Sequence, residues 1–105
     1  MEAFQTLYFT FFKDPDHHHH STETILNELG WLVLDKTPEH ALIIFKINLD
    51  ENSNSANAHD SYAEALYRTG KLAMAKAHFQ KAHEMNPSFS HIPDILAEID
   101  RALSN

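Results

Sequence analysis

The chain's most obvious candidates for chemistry are four consecutive histidines, His17 to His20, which lie near Asp14, Asp16 and Glu23. Imidazole and carboxylate groups together can bind zinc or nickel. Adjacent residues in a flexible loop, however, cannot all point at one tetrahedral ion. We therefore expect a linker that binds metal adventitiously, and we assign no metal site. A protein that handles metal ions is one hypothesis for the function.

Signals for catalysis are missing elsewhere in the sequence. The other histidines lie on different predicted helices without His-x-x-x-His spacing: His40, His59, His78, His83 and His91. The chain has no cysteine, no Gly-x-Ser-x-Gly and no Ser-x-x-Lys motif. Its two glycines, Gly30 and Gly70, cannot build a Gly-rich phosphate loop. We predict a non-enzymatic protein without catalytic residues or a cofactor.

Composition narrows the class of partner. The chain of 105 residues is 43% hydrophobic and 22% charged, which is ordinary for one globular domain. Its formal charge of −7 would repel nucleic acids and anionic membranes, so neither is an expected partner. The apolar start, Met1 to Phe12, contains Glu2 and lacks the basic residues of a secretory signal. The cytoplasm is the default location.

The elements that must position any functional residue are helices. Ser21 or Thr22 can cap a helix that runs to about Asp35, and Thr37-Pro38 is typical of the start of a second. Ser55 can cap a third, with Ala58, Tyr62, Ala65 and Leu66 facing inward and Gly70 beyond its end. Leu72 to about Met85 forms the fourth, and apolar residues from Ile92 to Leu103 indicate a fifth. The predicted fold class is all-α.

An internal repeat organises these helices. A shift of 34 residues places Ala41-x-x-x-Phe45 on Ala75-x-x-x-Phe79. A period of this length, with one helix hairpin in each unit, is typical of stacked helical repeats. The small residues would allow close helix crossings, and the two phenylalanines would fill the space between hairpins. We expect Gly30, Ala41, Ala63 and Ala75 at the crossings.

These residues resemble the tetratricopeptide repeat, which has Leu, Gly and Tyr-like positions on its first helix, Ala-x-x-x-Phe on its second, and a closing Pro. The second unit has Pro87 at the closing position, whereas the first has Ser53. The resemblance implies two antiparallel hairpins in a right-handed solenoid, with repeats at about 22–54 and 55–88 and a capping helix at about 90–103. The repeat domain would then span 21–105, after an aromatic segment and His-rich linker at 1–20.

The resemblance also suggests a function. It implies a scaffold that binds a peptide or helix of an unidentified protein partner on the concave face, lined by the first helix of each hairpin. The predicted contact residues are Asn27, Trp31, Leu34, Asp60, Glu64, Tyr67 and Arg68, with Asp35 and Asn57 on the same face. Trp31 and Tyr67 are either exposed apolar anchors or packing between the hairpins.

An alternative interpretation concerns the stretch from Asn54 to Tyr62, with Glu28-Leu29-Gly30 before it. These residues are similar to repeat tails at the C-terminus of some bacterial serine hydrolases. On this reading the chain is the detached accessory domain of such an enzyme, without catalytic residues of its own.

The aromatic segment Met1 to Phe12 contains Phe4, Tyr8, Phe9, Phe11 and Phe12. Its spacing favours a helix, although its strand propensity is also high. Two repeats are fewer than a stable array normally needs, so we expect this segment to cover the free end of the first hairpin. It would do so either within one chain or by forming a homodimer.

Overall fold

A computed structural model of the protein describes residues 22–104. Among these residues there are five helices and no strand, which confirms the all-α prediction for this part of the chain. The predicted aromatic segment and the His17 to His20 tract lie outside the described residues. The helices are α1 (Thr22–Leu34), α2 (Pro38–Glu51), α3 (Ala56–Arg68), α4 (Leu72–Met85) and α5 (Ile92–Ser104).

The helix ends follow from local chemistry. The Ser55 hydroxyl accepts a hydrogen bond from the Ala58 backbone N–H at 3.1 Å, so Ser55 caps α3 as predicted. Gly70 follows that helix with φ of 82°, a left-handed conformation that glycine adopts without a steric penalty. These two residues set the limits of α3.

Thr37 and Pro38 stand at the start of α2, as predicted. Thr37 occupies the N-cap position of α2 but makes no capping bond with its side chain. Its hydroxyl instead donates to the Val33 carbonyl at 3.2 Å, in the last turn of α1. Pro38 at the first turn of α2 has no N–H to be satisfied, which lowers the need for a side-chain cap there. Thr37 therefore closes the end of α1.

The small residues that were predicted at helix crossings are buried. A methyl group on Gly30 would overlap the ring of Phe45, so α1 and α2 approach more closely than a side chain would permit. Ala63, Ala75 and Phe79 are fully buried, as is Phe45. The two phenylalanines thus fill the interior at positions 34 residues apart.

The helices pack mainly against their sequence neighbours. α1 packs on α2, α3 on α4, α2 on α3 and α4 on α5, and α1 also contacts α3. Ile92 and Ile99 bury the inner face of α5, while Lys76 of α4 and Asp100 of α5 form an ion pair at 2.7 Å. The contact between α1 and α3 brings their side chains together on one surface.

One core position is polar. Asn48 is fully buried on α2, where its side-chain oxygen Oδ1 accepts a hydrogen bond from the Asn52 side-chain amide at 2.8 Å. Its amide nitrogen has no hydrogen-bond partner within the described structure. Thirty-four residues further along, the matching position on α4 is Ala82, which is also fully buried. The apolar pattern of the core is therefore interrupted in α2 and continuous in α4.

Candidate functional site: the face formed by α1 and α3

Six polar and aromatic side chains recur at four-residue intervals on α3, on α1 and at the residue that directly follows α1. A spacing of four residues keeps side chains on one side of a helix. Because α1 contacts α3, the two rows lie side by side. We call this surface the α1–α3 face and define it by Asn27, Trp31, Asp35, Asp60, Glu64 and Arg68.

Ser61 joins the two helices beneath this face. Its side chain is almost fully buried, and its hydroxyl donates a hydrogen bond to the Asn27 side-chain oxygen. The Ser61 hydroxyl oxygen also accepts a hydrogen bond from the Trp31 indole N–H at 3.2 Å. Both the donor and an acceptor site of this buried hydroxyl are thereby used. Asn27 and Trp31 are thus held by one residue of the neighbouring helix.

Trp31 contributes to both the interior and the surface. Its ring meets the buried Phe45 ring edge to face, with centroids 5.7 Å apart and an angle of 63° between the planes. Even so, the residue remains 42% exposed. The ring therefore packs against the core and also leaves apolar surface exposed. Its orientation is set by Phe45 and Ser61.

Arg68 is held by two carboxylates. Its guanidinium donates to Asp35 at 2.5 Å and to Glu64 at 3.0 Å, so it links the end of α1 to α3. These hydrogen bonds to carboxylates raise the pKa of Arg68 above its already high ordinary value. The charge of Arg68 is consequently satisfied by the face itself.

Asp60 occupies the opposite end of the face. Its side chain is only 13% exposed and forms an ion-pair contact with the His91 imidazole, Nε2 to Oδ1, at 2.8 Å. Burial raises the pKa of Asp60 above its ordinary value, and the hydrogen bond from His91 opposes that rise. His91 lies just before α5 and is itself about half exposed. It therefore covers part of a carboxylate that has lost most of its contact with water.

Two predicted contact residues differ from the others. Leu34 is 1% exposed and belongs to the core, because the last turn of α1 points it between the helices. It is not part of the exposed face. Tyr67 is partly buried and packs against the same core, which favours the packing interpretation for this residue.

Ser61 and His91 were not among the predicted site residues. A signal for Ser61 exists, since it follows Asn27 by 34 residues, the period of the repeat. In stacked repeats, equivalent positions of successive units lie side by side. Polar residues one period apart are therefore candidates for contact, and Asp35 and Arg68, 33 residues apart, show the same relationship. His91 has no comparable signal, because it lies outside the predicted repeats.

The structure also brings together two histidines that the sequence leaves separate. The Nδ1 atoms of His59 on α3 and His78 on α4 lie 3.1 Å apart. The Tyr62 ring packs edge to face against the His78 ring, with 4.9 Å between the ring centroids. His59 Nε2 is 3.0 Å from the Ser53 carbonyl oxygen. A carbonyl only accepts, so His59 carries its proton on Nε2, and His78 must donate from Nδ1. The pair is thus matched when both rings are neutral.

The environment of His78 opposes an additional proton. Burial lowers the pKa of His78 below its ordinary value of 6.5, and the neighbouring His59 and Lys46 add repulsion. No carboxylate contacts either ring among the hydrogen bonds described for this pair. In residues 22–104, no group of three or more His, Cys, Asp or Glu side chains is placed to hold a metal ion.

Comparison with known proteins gives no family assignment. No protein-family model matches the chain, and neither a curated protein nor a solved structure matches it significantly. Of the helices described, none has both the length and the apolar character that crossing a membrane requires. The site must therefore be interpreted from its own geometry.

Proposed function

We propose that this chain is a protein-interaction module that binds a peptide or helix of another protein across the α1–α3 face. In this proposal α1–α2 and α3–α4 are two tetratricopeptide-like hairpins, and α5 caps the second. The α1–α3 face is then the concave surface formed by the first helix of each hairpin. No catalytic step is assigned to it.

Two observations support the repeat. The Ala-x-x-x-Phe motifs at Ala41 and Ala75 place fully buried residues at matching points of α2 and α4. The polar links from Asn27 to Ser61 and from Asp35 to Arg68 join residues 34 and 33 positions apart, as stacked units of this period would.

The observation that carries the proposal is the environment of Trp31. A tryptophan that is 42% exposed leaves apolar area in water, and tryptophans are frequent among the residues that dominate binding energy. Its indole is already oriented by Ser61 and Phe45. An anchor that is ordered before binding loses less conformational entropy when a partner arrives. The residues four positions before and after it, Asn27 and Asp35, are polar, as is typical of the rim of an interface.

Selection from a random peptide library displayed on phage tests the proposal. Peptides should be enriched on the wild-type chain and lost on Trp31→Ala. Leu32→Ala is the matched control, because Leu32 is 79% exposed, lies next to Trp31 on α1, and is not part of the α1–α3 face. Melting of each variant by circular dichroism establishes that the chain is folded. Selected peptides that bind Trp31→Ala as well as wild type would show that the binding surface lies elsewhere.

A further inference from the structure

Charge is distributed unevenly around the α1–α3 face. α1 contains Glu23 and Glu28 but no Lys or Arg, whereas α4 contains Lys76 and Lys81. On the face itself, Asp35, Asp60 and Glu64 contribute three negative charges and Arg68 one positive charge, so its formal charge is −2 with histidine counted as neutral.

The one guanidinium of this face is already paired with carboxylates of the same face. Arg68 already donates to both Asp35 and Glu64. An anionic segment of a partner would therefore meet the carboxylates of the α1–α3 face, while the one cationic side chain among the six residues of that face is already paired. Repulsion between like charges across an interface opposes such a partner strongly.

Asp60 is the carboxylate best prepared to receive a positive charge. With a side chain that is 13% exposed, it has already lost most of its hydration. Coulombic attraction is stronger where water is excluded, and the carboxylate has little further desolvation cost to meet when a cation arrives. His91, which contacts Asp60, is 52% exposed and lies at the edge of α5, where an incoming side chain can reach it.

The apolar and the charged anchor lie close together. Ser61 bonds to Trp31 and directly follows Asp60 in α3. A single short segment can therefore contact Trp31 and Asp60 at once. A second copy of the chain is a poor occupant by charge, because each copy carries a formal charge of −7.

We infer that the segment bound by the α1–α3 face is cationic: a stretch of a partner protein with lysines or arginines around one large apolar residue. The apolar residue covers Trp31, and a positive charge approaches Asp60 beside His91 or in its place. This inference rests on the proposed function and names the chemistry of its partner.

Three synthetic helical peptides test the inference on the full chain. They share one length and the same leucines, lack tryptophan, and carry Lys, Gln or Glu at all remaining variable positions. Trp31 is the single tryptophan of the chain, so its fluorescence reports occupation of this face. The Lys peptide should bind about tenfold more tightly than the Gln peptide, a difference of about 1.4 kcal/mol. Its affinity should fall as salt is added.

Two variants should change the affinity in opposite directions. Asp60→Asn keeps an oxygen for His91 but removes the charge, and it should weaken binding of the Lys peptide by about fivefold while leaving the Gln peptide unchanged. Arg68→Gln removes the only positive charge of the face and should strengthen binding of the Lys peptide. Glu84→Gln, on an exposed part of α4 away from this face, is the control for net charge and should resemble wild type.

The outcomes separate the two proposals. Equal affinities for the three peptides, or tightest binding of the Glu peptide, would overturn the cationic partner and leave a peptide-binding face in place. An unchanged affinity of folded Asp60→Asn and of Arg68→Gln would also overturn it. No response of Trp31 to any peptide at millimolar concentration would contradict the proposed function as well. A free chain whose Trp31 emission and mass both rise with concentration would place a second copy on the face and overturn the inference.

Discussion

The ring of Phe45 fills the space in which a side chain on Gly30 would lie. Phe45 is fully buried, so its ring has no open space into which it could rotate. The contact makes glycine necessary in the middle of α1, where its helix propensity alone would be unfavourable.

Gly30→Ala should therefore destabilise the protein, by about 1–3 kcal/mol, although alanine is the better helix former. The free energy of unfolding in urea measures the effect. The control is Ala77→Gly on the exposed side of α4, which should cost about 1 kcal/mol from propensity alone. A stabilised Gly30→Ala variant would mean that the two helices do not cross at this point.

Ala75→Leu should also lower the stability of the protein, by about 1–3 kcal/mol. Ala75 lies on α4 at the position that matches Ala41 of α2, and it is fully buried, so a larger side chain would overpack the core. The melting temperature gives the readout. Ala77→Leu adds the same atoms on an exposed position of the same helix and should change it little. If both variants have the melting temperature of the wild type, the assigned repeat register is wrong.

Asn48→Ala should leave the stability unchanged or raise it by about 1 kcal/mol. A buried donor without a partner lowers the free energy of unfolding by about 1–3 kcal/mol, and the substitution removes that cost. This gain offsets the free energy lost through the small cavity and the missing hydrogen bond to Asn52. Ala82 shows that alanine fits the equivalent position of α4. Urea unfolding measures the difference. A loss of about 2 kcal/mol or more, as for an ordinary core truncation, would reveal a stabilising role of the amide.

Stability should fall as the solution is acidified from pH 7.5 to 5.5. Because the folded-state pKa of His78 is lowered from 6.5, the unfolded chain binds more protons in this range. The contribution is present above pH 6.5 and is lost as the pH falls below it. Its slope stays under about 1.4 kcal/mol per pH unit, because one group binds at most one proton. Urea titrations at several pH values measure this slope.

His78→Leu should flatten this dependence, whereas His83→Leu, on the same helix but outside the pair, should retain it. Asp60 has the opposite sign, because burial raises its pKa and protonation then adds stability, but its pKa is raised from an ordinary value of 3.8, well below this pH range. The chosen range limits its contribution. An equal slope in wild type and His78→Leu would show that other groups cause the acid sensitivity.

The helices of the described part were predictable because caps, glycines and apolar spacing act locally. Ser55 and Gly70 mark the ends of α3 by backbone chemistry that depends on few neighbours. Leu34 was placed on the wrong side of its helix, since a face projected from sequence cannot show how far the last turn of α1 rotates into the core.

Other features depend on contacts between helices. The meeting of His59 with His78, and of Asp60 with His91, requires the relative positions of three helices. Periodicity along a single helix contains no information on these distances. The link from Asn27 to Ser61 is intermediate, because it joins residues that are one predicted repeat length apart.

The contacts between successive helices bear on how the chain reaches its fold. Interactions between segments close in sequence form quickly, since little loop entropy is lost in closing them. In residues 22–104 the helices pack chiefly on their immediate neighbours, across short connections such as Asp35 to Thr37. During synthesis, α1 and α2 can pair while α5 is still inside the ribosome. The Trp31 side chain then acquires its hydrogen bond only when α3 emerges, so the α1–α3 face forms later than the first hydrophobic contacts.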